Sequence, residues 1–247
     1  MYRFIFFIFF LLISLKSHSF EYNKVYHIQD FYTTGLEVIY DFEINKNNCI
    51  KVTKYIIISN YDETPKDIIK KWENLIERKW SNDHFIYKNN KIGLEIDINF
   101  VKNIENIPKP YKWSGTIRTK LNGKTNFYDW SIYNTNVVHE FGHMLGNYDE
   151  FDNGILNNKT RWISDGIMSN NDSDILYEHY FASILNTFRK KVLNKKVLPQ
   201  LLYDHGLNNK SLDIPLEKII KESIRKGGYF TFIKKGFKGK KIDCKKY

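Results

Sequence analysis

At 247 residues, 42% of them hydrophobic and 16% aromatic, the chain can bury a sizeable core, which excludes a wholly disordered polymer. Its 38 basic residues outnumber 28 acidic ones, and its two cysteines are too few for the disulfide framework of a small secreted scaffold.

The first element is a targeting segment. Arg3, an unbroken apolar run from Phe4 to Ile13 and the small-residue pattern Ser17-His18-Ser19 have the layout of a signal peptide cleaved after Ser19. The run is short for a bilayer span, and no later segment is apolar enough to cross one. The expectation is an exported chain, extracellular or periplasmic, with no transmembrane segment after cleavage. Loss of Arg3 and Lys16 leaves 36 basic residues against 28 acidic ones, a net charge near +8. Three parts are expected: the signal at 1–19, a folded domain at 20–198 and a basic extension at 199–247. In an oxidising compartment Cys49 and Cys244 can pair, a link worth at most about 5 kcal/mol in the chain-entropy model. Spacing alone leaves the pairing open.

Alternation and β-branched content then predict strands at Gly35 to Ile44 and Ile50 to Asn60, joined by the turn-like Asn45 to Cys49 as a hairpin. A helix is predicted over Thr64 to Trp80, with Thr64 as N-cap and Pro65 at the first helical position. Ile68, Ile69, Trp72, Leu75, Ile76 and Trp80 recur along it at helical spacing. Lys91 to Lys102 alternates as a strand, a loop follows from Asn106 to Gly115, and Thr125 to Tyr133 reads as a shorter extended piece. A further helix is predicted over Ser173 to Phe188, capped by Ser173 or Asp172. This order implies an α+β fold in which a helix packs on a sheet.

Between the last two elements stands "VVHEFGHMLGNYDEF", Val137 to Phe151. Asn134, Thr135 or Asn136 can cap a helix here, and Gly146 can end it in a left-handed conformation. On that helix His139 and His143 lie one turn apart on one face, so both imidazoles can converge on one ion. Zinc takes such ligands, and Glu140, beside the first histidine, can reach a water without occupying a coordination position. A catalytic zinc usually has three protein ligands; the turn at Gly146 lets Asp149 approach as the third. Glu178 is the rival third ligand, from a later helix. The mid-helix Gly142 costs about 1 kcal/mol against alanine, which asks for a close-packing reason. His18, His27, His84 and His205 sit in no comparable pattern.

"HEFGHMLGNYD" resembles the extended zinc motif HExxHxxGxxH/D of the metzincin metalloproteases, with aspartate in place of the commoner third histidine, as in snapalysin-type enzymes. "SDGIMSNN" then supplies the methionine of the turn that lies below the metal in that clan, Met168. The resemblance covers Val137 to Asn170 specifically and the element order from Gly35 onward more loosely. It implies a twisted mixed sheet with the active-site helix packed on it, a methionine turn and a C-terminal helix. It also implies a Zn²⁺-dependent endopeptidase with His139, His143 and Asp149 as ligands and Glu140 as general base. Its partner would be a protein or peptide substrate, lying along an edge strand at Thr125 to Tyr133 or the preceding loop. One departure stands out: several metzincins place a tyrosine two residues after the methionine, and here that residue is Asn170. Tyr148 and His179 are the candidates for stabilising the transition state, His179 also for orienting a ligand.

The basic tail from Ile224 to Tyr247 interleaves lysines with Tyr229, Phe230, Phe232 and Phe237. It suggests a second reading, a catalytically silent zinc-stabilised binding module that attaches to an anionic surface. No motif for specific nucleic-acid recognition is present, and the chain reads as a monomer.

Overall fold

The computed structural model describes residues 21–31, 37–87, 90–133, 136–147, 149, 165–192 and 237–247. The signal segment, Tyr148 and residues 199–236 of the basic extension lie outside them. The sheet begins one strand earlier than the alternation suggested: Tyr26–Phe31 (β1) runs antiparallel to Glu37–Ile44 (β2). The expected hairpin then carries β2 into Cys49–Ile58 (β3). Its turn is built by asparagines. Asn45 Oδ1 accepts the backbone N–H groups of Asn47 and Cys49, and Asn48 takes a left-handed conformation at φ 60° that asparagine tolerates better than most residues.

Lys66–Trp80 (α1) follows, burying Ile69, Trp72, Ile76 and Trp80 at helical spacing. Its start corrects the sequence reading, because Pro65 occupies the N-cap position rather than the first turn. Thr64 does not cap: its hydroxyl donates to the Asn60 carbonyl and pairs with Thr119, so tertiary partners claim it first. Asn82–Tyr87 (β4) pairs antiparallel with Asn90–Val101 (β5), and β5 lies parallel to β3 from Cys49 opposite Gly93 to Ile57 opposite Val101. Trp113–Lys120 (β6) begins inside the expected loop, which ends at Gly115, and runs on toward the expected extended piece. It is a strand because Tyr55 to Ile58, beyond the reach of β2, offers it a free parallel edge. Asp129–Ser131 (β7) adds parallel to β6. The product is a seven-stranded mixed sheet, β1-β2-β3-β5-β4, with β6 and β7 continuing the edge that β2 leaves.

The pleat of β3 decides where the core sits. Ile50, Val52, Ile56 and Ile58 point to the helical side and are fully buried, whereas Lys51 and Thr53 face Glu95 and Asp97 on the other side. Val137–Met144 (α2) and α1 cover the helical side, locked by the Trp80 indole donating to the Val138 carbonyl at 2.8 Å and by its edge-to-face contact with Phe141. The fold class is therefore α+β, with the motif helix packed on the sheet.

The last helix also differs from expectation. Ile175–Leu176 (β8) and a 3-10 turn at Glu178–Phe181 precede Ala182–Lys191 (α3), so the helix starts nine residues after Ser173. Ser173 instead closes a local turn, accepting from the Ile175 N–H and donating to the Asp165 carbonyl. The physical reason lies at the other end of the chain, since Phe237–Lys238 (β9) pairs with β8 and draws those residues out of helical conformation. Cys49 and Cys244 form a disulfide with Cα atoms 5.4 Å apart, fastening the C-terminal segment to the start of β3. No helix among the described residues is long and apolar enough to cross a membrane.

Candidate metal centre

All eight residues of α2 are buried, which is unusual for a helix carrying two histidines and a glutamate. Polar side chains at that depth need partners. His139 finds one through Nδ1, 2.8 Å from the Ile167 carbonyl, and His143 through Nδ1, 2.8 Å from the Asn147 carbonyl. A carbonyl only accepts, so each imidazole carries its proton on Nδ1 and presents an Nε2 lone pair. Both lone pairs face Asp149: its Oδ1 lies 2.8 Å from His139 Nε2 and 3.3 Å from His143 Nε2. Three acceptors thus converge where something positive is needed.

That need is the chemical test of the site. Tetrahedral coordination at bond lengths near 2.0 to 2.1 Å separates ligand atoms by about 3.3 Å, close to the distances seen. His139, His143 and Asp149 form a buried group whose ligand atoms all lie within 4.8 Å of one another, able to hold a metal ion. Hydrogen bonds from both Nδ1 atoms to backbone carbonyls are the usual support for metal-binding histidines, fixing tautomer and ring orientation. Without a metal the nearest substitute is a second proton on His143. Burial pushes that imidazole down, but the hydrogen bond and charge of Asp149 outweigh burial and leave it raised.

Glu140 completes the group without joining it. Its Oε2 is 4.0 Å from His143 Nε2, is buried and has no hydrogen-bond partner among the described residues. Burial raises its carboxyl above the usual range, the two histidines opposing and Asp149 assisting. A buried carboxylate oxygen left free beside a metal site is suited to take a proton from a water there.

The local chain explains why these atoms meet. Gly146 at φ 90° ends α2 and donates to the His143 carbonyl, turning the backbone so that Asp149 returns to the histidines. Asn147, unnoticed in the sequence, holds the turn: its amide donates to the Gly142 carbonyl at 3.0 Å and to the Tyr180 carbonyl at 2.9 Å. Nothing in the sequence separates this asparagine from the chain's many others. Gly142 has its close-packing reason in Met168, because a Cβ there would lie 2.3 Å from Met168 Sδ and 3.0 Å from the Trp80 ring. Met168 is fully buried against the helix between the two histidines, on the turn that also supplies the Ile167 carbonyl.

Comparison with known proteins returns no matching family model, no matching curated protein and no matching solved structure. The site therefore stands on its own geometry.

The other candidates are placed unevenly. Glu178 and His179 fall in the 3-10 turn after β8, with side chains outside the described set, and Tyr148 lies outside it entirely. Phe127 reaches the site from the segment before α2, its ring centroid 6.4 Å from that of His143. Lys54 was also unforeseen. Fully buried on the helical side of β3, it donates to the carbonyl of Ile39 and, at 3.1 Å, to that of Met144 at the end of α2. It satisfies one of the carbonyls that every helix C-terminus leaves open.

Proposed function

We propose that the chain is a secreted zinc-dependent metalloendopeptidase of metzincin type. The observation that carries the reading is the buried Oε2 of Glu140, without a hydrogen-bond partner among the described residues, beside three converged acceptors, two of them imidazoles whose Nδ1 protons are committed to backbone carbonyls. His139, His143 and Asp149 would hold the ion, a nitrogen and oxygen donor set that suits zinc. Zinc held there would supply Lewis acidity toward a scissile carbonyl and bring the pKa of water toward about 7.

The chain's own residues do the rest. Glu140 Oε2 receives the proton of the attacking water and hands it to the leaving amine nitrogen. Burial holds its carboxyl above the usual range, which strengthens it as the base in the first of those steps. Met168 and Trp80 fill the space against Gly142, between the two histidines of α2. A catalytically silent metal module gives the buried Oε2 of Glu140 no reason to lack a hydrogen bond among the described residues.

The test is Glu140→Gln at matched zinc occupancy. Zinc binding and fold should be retained, since the residue is not a ligand, while cleavage of a denatured protein such as casein should fall by roughly 10² to 10⁴. Undiminished cleavage by the variant, or a zinc-loaded wild type that cleaves no substrate, would move the reading to the silent module.

A further inference from the structure

The C-terminal segment is joined to the metal site by an unbroken series of contacts. His139 Nδ1 donates to the Ile167 carbonyl at 2.8 Å, and Ile167 N–H donates to the Ile175 carbonyl at 2.9 Å, with Gly166 bridging Ile175 as well. Ile175 and Leu176 pair with Lys238 and Phe237. Phe237 is buried, stacked on Phe181 with ring centroids 6.0 Å apart and set edge-on to Phe85. Asp174, just before β8, is held by both Lys79 and Lys238. Every link from histidine to segment is a described hydrogen bond or packed ring.

The far end of the segment is fastened separately. Lys240 N–H donates to the Ser81 carbonyl at 2.8 Å, and Gly239 lies so close to the Lys79 carbonyl that no side chain fits there. Cys244 N–H donates to Glu95 at 2.6 Å, Asn45 donates to the Cys244 carbonyl at 2.6 Å, and the disulfide ties Cys244 to Cys49 on β3. A pair of two-residue strands is too short to persist unaided. It persists because tethering makes its docking intramolecular, at high effective concentration.

Building on the metal site above, we infer that Phe237–Tyr247 is a positioning element of that site, locked by the Cys49–Cys244 disulfide, so that metal is held tightly only in the oxidised chain. Oxidation joins the two Sγ atoms and passes two protons and two electrons to a disulfide oxidant such as oxidised glutathione, which leaves as two thiols. With the lock open, β9 releases β8. The turn carrying Ile167 then loses its support, and His139 loses the carbonyl that fixes its Nδ1 proton. An exported chain would gain its metal site only after leaving a reducing compartment.

The experiment measures Zn²⁺ affinity of the mature chain by competition with a chromogenic chelator, for the disulfide-bonded protein and for Cys49→Ser/Cys244→Ser. The expected loss is about 10- to 100-fold, the usual effect of removing support behind a metal-binding histidine, with the far-ultraviolet circular dichroism unchanged. Equal affinity in a folded double variant overturns the inference. Should the double variant unfold, Phe237→Ala in the disulfide-bonded chain decides instead. The same loss, largely restored by Phe237→Leu, supports the positioning role, and unchanged affinity refutes it. Failure of the metal site itself is distinguishable, because His139→Ala would then leave zinc affinity unaltered. A chain that binds zinc in this redox-dependent way but cleaves nothing would leave this inference standing.

Discussion

Replacing Gly142 by alanine sets two effects of known sign against each other. Alanine in a helix interior gains about 1 kcal/mol over glycine through backbone entropy. The new methyl would meet Met168 Sδ at 2.3 Å and the Trp80 ring at 3.0 Å. The first distance is roughly 1.5 Å inside ordinary contact, for which the comfortable range is about 3.5 to 4.0 Å. Neither neighbour can step aside into solvent, since both are fully buried, and the Trp80 ring is pinned by its bond to the Val138 carbonyl. Overpacking of this kind costs about 1 to 3 kcal/mol and falls here toward the upper end. The net expectation is a loss of about 1 to 2 kcal/mol, or roughly 2 to 8 °C in melting temperature for a domain of this size. Scanning calorimetry of the metal-free protein would read it. On a Met168→Ala background the penalty should shrink by more than about 0.5 kcal/mol, the coupling expected of residues in contact. A Gly142→Ala protein as stable as wild type, or more so, would refute the claim that glycine is there for packing.

Two further outcomes follow from the same structure. Asp149→Ala should weaken Zn²⁺ by more than about 100-fold while Glu178→Ala changes it little, since loss of a ligand exceeds the usual 10- to 100-fold loss of an outer partner; chelator competition would show equal losses if the third ligand has been misassigned. Burial lowers the Lys54 ammonium from its ordinary 10.5 to about 7, with Asp41 alone opposing. Between those values the unfolded chain holds a proton that the native chain has released, so Lys54 makes stability rise as pH climbs from about 7 to about 10.5. Lys54→Met should flatten that rise, as urea midpoints at pH 7 and 9.5 would report, and an unchanged slope would contradict a neutral buried lysine.

The elements legible in the sequence are those whose residues carry their own instructions. The β2–β3 hairpin, α1 and β5 follow from alternation, helical spacing and turn asparagines that act over a few residues. The site is legible for the same reason. His139 and His143 share a helix face by geometry alone, Gly146 marks where the chain turns back, and the cost of Gly142 announces a close neighbour. The spacing that lets His139, His143 and Asp149 converge lies within ten residues, although the carbonyls of Ile167 and Tyr180 that hold them there come from farther along the chain.

What the sequence could not decide depends on partners brought from elsewhere. β6 exists because β3 outruns β2, Thr64 abandons its cap for Thr119, and Ile175–Leu176 leaves the helical pattern because Phe237–Lys238 arrives to pair with it. Asn147 and Lys54 look like any asparagine or lysine until tertiary structure sets them against the carbonyls of Gly142, Tyr180 and Met144. The pairing of Cys49 with Cys244 spans 195 residues, a separation over which no local preference acts. Local periodicity determines which residues share a face; only the assembled sheet determines which faces and ends meet, because that choice is made by burial and hydrogen-bond satisfaction across the whole chain.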